Sequence, residues 1–243
     1  QQPLPAQQPA PAQKSEHDLV EIMTKMDELY RSKSSYSEVE MLIVTPNWQR
    51  TLEMKIWTQG MDKTFIRILS PKKEKGMGTL RIGNEMWNYL PKTNKIMKIP
   101  PSMMMGSWMG SDFTNDDLVE EFTYIDDYTL EWATVESPEE GLLYIKAVPR
   151  EDLPVVWGHL VMAVRAADYI PLWERYYDEK GRLMRTLVFS DVQKYGERLL
   201  PSTMKVIPEN KEGHSTEVRY TNTVFDQKIE EDIFSLRNLR SPE

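Results

Sequence analysis

Polar and apolar positions alternate with a period of two through most of this chain. Leu52, Met54 and Ile56 are separated by Glu53 and Lys55, and Tyr128, Leu130 and Trp132 by Thr129 and Glu131. Near the C-terminus Val218, Tyr220 and Val224 stand opposite Glu217, Arg219, Thr221 and Thr223. Such alternation marks strands with one apolar and one wet face. It predicts strands at Tyr36–Val44, Trp48–Gln59, Lys63–Ser70, Met77–Ile82, Glu85–Leu90 and Asn94–Ile99. A second series is predicted at Tyr128–Val135, Leu142–Val148, Val155–Ala166, Leu172–Asp178, Arg182–Ser190, Leu199–Ile207 and Thr216–Phe225. Turn formers such as Gln59-Gly-Met-Asp, Ile82-Gly-Asn-Glu and Asp178-Glu-Lys-Gly separate them. Many strands joined by short turns describe an antiparallel meander that curls into a barrel or half-barrel.

The helical period appears near the start of the chain. Leu19, Ile22, Met23, Met26, Leu29 and Tyr30 form one apolar stripe, and Ser15 with Asp18 resembles a capping box. A helix is expected from about Glu16 to Arg31. A second, short helix is expected after Thr114, an N-cap followed by Asn115-Asp-Asp, with Leu118 and Phe122 stacked one turn apart. The first fourteen residues, rich in proline, glutamine and alanine, read as a disordered tether, and 15–243 as a single domain.

Composition narrows the function classes. The net charge of −8 argues against nucleic acid, whose phosphates need a basic surface. Cysteine is absent, which excludes thiol catalysis, disulfides and thiolate metal sites. No apolar run approaches the roughly 20 residues needed to span a bilayer as a helix; the longest, Val155 to Val164, reads as a buried strand. His17, His159 and His214 lie far apart with no metal-ligand spacing. Gly106-Ser-Trp-Met-Gly is not a nucleophile elbow, and Asp112-Phe-Thr-Asn-Asp-Asp fails as a calcium loop at its sixth and twelfth positions. The acidic pairs, Asp116/Asp117, Glu120/Glu121, Asp126/Asp127 and Glu230/Glu231, read as solvated charge. The expectation is a binding protein, with no catalytic residue, no metal site and no cofactor.

The chain holds 15 methionines, three of them consecutive at Met103, Met104 and Met105, among glycines and serines. Three readings fit this segment. Met103, Met104, Met105, Trp108, Met109 and Phe113 plug a barrel mouth as ordinary core. Alternatively, the thioethers of Met103, Met105 and Met109 hold Cu(I). The reading adopted is a conformable flap over an apolar cavity, hinged at Gly106 and Gly110, because unbranched methionine adapts to partners of varied shape. Trp87, Tyr89, Leu130 and Trp132 are the strand residues expected to line that cavity with the flap.

Several stretches together resemble the LolA-like superfamily, specifically its outer-membrane lipoprotein-sorting branch. They are Ile22-Met-Thr-Lys-Met-Asp, Arg50, Ile68-Leu-Ser-Pro, Gly76-Met-Gly-Thr-Leu, Met86-Trp-Asn-Tyr-Leu-Pro and Gly110-Ser-Asp-Phe-Thr-Asn-Asp-Asp-Leu, with Tyr176-Tyr-Asp-Glu-Lys-Gly, Pro201-Ser-Thr-Met and Phe234-Ser-Leu later. The resemblance implies a mainly β (α+β) fold: a bent antiparallel sheet forming an incomplete β-barrel, with a helical lid over an apolar cavity. It also implies a periplasmic, exported carrier of acylated lipoproteins or other lipids, touching membranes transiently, with an inner-membrane transporter as a candidate partner. The same fold serves relatives that sense lipoproteins. For the arginine that in some relatives holds the lid shut, Arg50 and Arg67 are the candidates.

Overall fold

The computed structural model describes residues 17–30, 32–118, 123–151, 153 and 155–241. The predicted tether, Ser15 of the expected capping box, the Glu120/Glu121 pair and Phe122 lie outside the described residues. Among the described residues thirteen strands form an antiparallel sheet that is not closed into a barrel, accompanied by a few short helices.

The strands are β1 (Ser34–Val44), β2 (Gln49–Gln59), β3 (Lys63–Ser70), β4 (Gly78–Ile82), β5 (Glu85–Leu90) and β6 (Lys95–Lys98). The second series is β7 (Tyr128–Trp132), β8 (Leu142–Pro149), β9 (His159–Arg165), β10 (Pro171–Tyr177), β11 (Leu183–Tyr195), β12 (Arg198–Pro208) and β13 (Ser215–Phe225). Their order is β6-β5-β4-β3-β2-β1-β13-β12-β11-β10-β9-β8-β7. Every predicted strand has a counterpart. By contact density the chain falls into two compact units, one of Gln1–Leu29 with Phe122–Phe189, the other of Tyr30–Glu121 with Ser190–Glu243.

In the first unit, helix α1 (Leu19–Glu28) buries Ile22, Met23 and Met26. It begins later than the sequence pattern suggests, because the Asp18 carboxylate takes the N-cap role and accepts from the Val20 amide at 2.9 Å. A four-residue helix, α2 (Tyr124–Asp127), is capped by Thr123. The Asp27 carboxylate accepts from the Tyr124 amide at 3.0 Å, fixing α2 to α1. Strand β9 starts at His159, not Val155: Val156 is exposed and Gly158 runs against the β10–β11 turn, where a Cβ would sit 2.6 Å from the Asp178 carbonyl oxygen. Tyr144 packs on Trp173 and Trp157 meets the Tyr176 ring edge-on, so these aromatics satisfy one another.

The second unit departs from a sheet with one wet face. Strand β3 is buried at Phe65, Ile66, Arg67 and Ile68 in succession. Neighbouring residues point to opposite faces, so both faces are covered. One face carries Met41, Ile43, Leu52, Met54, Ile66, Ile68 and Met86, packed with Trp108. The other carries Phe65, Leu80 and Tyr89, packed with Ile229, Phe234 and Leu239 from the C-terminal segment. That segment ends in a short helix, α3 (Leu236–Arg240).

A second correction concerns β13. The register between β1 and β13 shifts at Glu38/Val39, where Asn222 and Tyr220 become the partners and Thr221 is passed over. This bulge flips the alternation. Thr223 is therefore buried, against Ser37 at 3.1 Å, and Val224 is exposed.

Candidate functional site

Within the second unit, residues 99–118 fold into a pinned loop. A 3-10 turn at Pro101–Met103 starts it, and Ser107 and Thr114 form an antiparallel bridge across it. The Trp108 amide donates to the Phe113 carbonyl at 2.8 Å, and the Asn115 amide to the Gly106 carbonyl at 2.9 Å. The helix expected after Thr114 is a single 3-10 turn, Asp116–Leu118. Thr114 caps it reciprocally: its Oγ1 accepts from the Asp117 amide at 3.1 Å, and the Asp117 carboxylate accepts from the Thr114 amide at 2.8 Å.

Three strands hold this loop. The Trp108 indole Nε1 donates to Thr79 Oγ1 on β4 at 3.1 Å. The Asp112 amide donates to Thr216 Oγ1 on β13 at 2.9 Å, and that hydroxyl donates back to the Asp112 carboxylate at 2.8 Å. From β2, Arg50 Nη2 donates to the Met109 carbonyl and Nη1 meets Glu74 at 3.0 Å. Met109 and Gly110 both adopt positive φ, 53° and 74°, which turns the Met109 carbonyl toward the guanidinium.

An apolar groove of about 570 Å³ opens beside this contact, lined by Trp48, Arg50, Lys73, Glu74, Met77, Leu90, Pro91, Lys92, Thr93, Met109 and Gly110. Its residues come from the β1–β2, β3–β4 and β5–β6 connections, which a meander brings to one end of the sheet, and from the methionine loop. Met77, Leu90, Pro91 and Met109 supply half-buried apolar surface, and Trp48 stands exposed with the Arg50 guanidinium 5.4 Å above its ring. Glu74 is buried; Lys73 and Lys92 are exposed. Its volume falls within the range of about 300–1,000 Å³ usual for small-molecule sites.

The residues nominated from the sequence distribute unevenly. Met104, Trp108, Met109 and Phe113 pack together against the core face of the second unit, and only Met109 of these reaches the groove. Met103 and Met105 are 55% and 50% exposed. The three thioethers nominated for Cu(I) therefore do not share one environment. Trp87 and Tyr89 belong to the opposite face, with Phe65 and Leu80. Leu130 and Trp132 lie on β7, in the first unit. Among the described residues no three His, Cys, Asp or Glu side chains gather in metal-ligand geometry. Of the two arginine candidates, Arg67 is buried and donates to the carbonyls of Gly76, Leu239 and Asn238 at 2.8, 3.0 and 2.7 Å, tying α3 to β3. Arg50 is the one that holds the loop.

Sequence reasoning did not nominate Trp48, Lys73, Glu74, Met77, Leu90 or Pro91. A signal was present: Arg50, Gly76-Met77, Leu90-Pro91 and Gly110 all fall in stretches that carry the family resemblance, and they converge here.

Solved structures share the fold, among them the following three. A DUF1329 family protein from Desulfovibrio piger ATCC 29098 is 25% identical, with TM-score 0.80 over 90% of this chain and 97% of that one. A domain named as an outer membrane lipoprotein-sorting protein, from Vibrio parahaemolyticus, is 24% identical, with TM-score 0.77 over 91% and 98%. The LolA superfamily protein NE2245 from Nitrosomonas europaea is 17% identical, with TM-score 0.73 over 90% and 97%. Among curated proteins none matches the chain. A family model with the description "-like: Uncharacterized protein" matches residues 60–241, so the chain belongs to that family, and its fold is LolA-like.

Proposed function

We propose that this protein shelters the acyl chain of a lipid or an acylated lipoprotein in the groove beside Met109 and carries it between membranes in the periplasm. The supporting observation is the groove itself: apolar Met77, Leu90, Pro91, Met109 and Trp48, with the exposed Lys73 and Lys92 available to an anionic group. Burying an acyl chain gains roughly 0.8 kcal/mol per methylene, so a 16-carbon chain fully sheltered gains on the order of 10 kcal/mol. Partial shelter suffices for retention.

In this reading the protein binds and does not catalyse. Arg50 takes the part of the lid-holding arginine that the resemblance implies. Its bond to the Met109 carbonyl keeps the methionine loop closed, and its pairing with Glu74 keeps the guanidinium in place. Release requires a partner whose affinity differs between closed and open states, since a ligand shifts an equilibrium only by that difference. An inner-membrane transporter and an acceptor at the other membrane are the partners of this kind.

The test is mass spectrometry of an organic extract from protein purified from its native compartment without detergent. An acyl lipid near one per chain is expected, and Met77→Ser/Met109→Ser should lower that load. An empty extract together with a stable protein partner in pull-downs would replace the carrier reading with a sensing domain of the same fold.

A further inference from the structure

A second groove, of about 750 Å³, lies on the other face of the sheet from Trp108, lined by Trp87 on β5, Ile96 and Lys98 on β6, and Leu236, Arg237 and Arg240 on α3. Trp87 and Ile96 pack against the cluster of Phe65, Leu80, Tyr89 and Leu239, and β6 is the terminal strand of the sheet. The groove is thus the place where that core runs out at a sheet edge, with Leu236 left 46% exposed.

Its charge is the reverse of the chain's. The protein carries −8 overall, whereas among the described residues the groove is lined by three cations and no carboxylate. Lys98 pairs with Glu85 and Arg237 with Asp232, both on the solvent-exposed surface, where such pairs hold weakly and yield to a better placed anion. Arg240 enters no ion pair among the described residues. Long cationic side chains that flank an apolar floor suit a ligand with an apolar body and an anionic end.

We propose that this groove is a separate site for an anionic amphiphile, with the acyl chain against Trp87, Ile96 and Leu236 and its carboxylate or phosphate held by Lys98, Arg237 and Arg240. The proposal rests on this lining alone and does not depend on the function assigned to the groove beside Met109.

Each groove holds one tryptophan, which separates the two experimentally. Full-length protein is titrated with monomeric dibromostearate, whose bromines quench indoles in contact with the chain. Saturable quenching is expected to persist in Trp48→Phe and to lose one component in Trp87→Phe. Arg237→Gln/Arg240→Gln changes only exposed side chains and is expected to raise the half-saturating concentration of that component about tenfold. The neutral dibromostearyl alcohol should bind the wild type about tenfold more weakly than the acid. Identical quenching in Trp87→Phe and wild type, loss of all quenching in Trp48→Phe, or equal binding of acid and alcohol would each overturn the inference. Displacement of the probe by millimolar inorganic phosphate would also overturn it, identifying a simple anion site.

Discussion

Arg50 joins Glu74 and the Met109 carbonyl, two groups far apart in sequence, through one guanidinium. Removing it leaves the buried Glu74 carboxylate without its cation, so Arg50→Ala should cost about 1–3 kcal/mol of unfolding free energy. Arg50→Lys keeps the charge but not the fork, and should speed amide exchange across 105–111 even where the melting temperature recovers. Denaturant titration and hydrogen exchange read the two effects separately. The methionines divide in the same way. Met103→Ser/Met105→Ser alters exposed positions and should change stability by less than about 0.5 kcal/mol, whereas Met104→Ser removes packing against the core face and should be clearly destabilising in the same titration. In the first unit, Glu174 is buried, with the Tyr176 hydroxyl donating to it at 3.0 Å. Burial raises its pKa, opposed by the hydroxyls of Tyr176 and Tyr124 and by Arg185. The folded state therefore holds this proton more tightly than the unfolded state does. The associated stability is present below the ordinary glutamate pKa and is lost as pH rises through the raised value. Glu174→Gln should accordingly gain on wild type in melting temperature over the pH range above the ordinary glutamate pKa. A constant difference across that range would remove Glu174 from the pH dependence.

At the scale of elements, the strands were legible because each alternates and each ends in a turn former. What was not legible depended on contacts distant in sequence. The face of β13 reverses at Thr221 because β1 imposes a bulge there. Strand β3 loses its wet face because Arg67 and Phe65 are covered by a helix some 170 residues onward. The groove beside Met109 eluded sequence reasoning for the same reason: its lining sits in three connections, each of which reads locally as an ordinary turn. Arg67 offers a test at this scale. Its bonds to the Asn238 and Leu239 carbonyls reach the end of α3, where the Ser241 amide also donates to Asn238 at 3.1 Å. Arg67→Met should detach that helix, at a cost of about 1–3 kcal/mol, and raise exchange at 236–241 while 99–118 stays protected. Equal loosening of both segments would make Arg67 a general core residue instead of a tie for α3.

For the whole molecule, the division into two compact units turns ligand binding into a question of location. Both grooves are built entirely from residues of the second unit, Tyr30–Glu121 with Ser190–Glu243. A ligand that binds only the folded state stabilises it by RT ln(1 + [L]/Kd), about 2.7 kcal/mol at a hundredfold excess over Kd. That stabilisation is expressed where the contacts are, since local opening draws on local contacts. Loading with a monomeric fatty acid should therefore raise the melting temperature and slow amide exchange in the β1–β2, β3–β4 and β5–β6 connections and in the methionine loop. Exchange in β7, β8 and β9 should stay unchanged. Protection at Leu130 and Trp132, with none in the methionine loop, would instead move the site to β7 and overturn its assignment to the groove beside Met109.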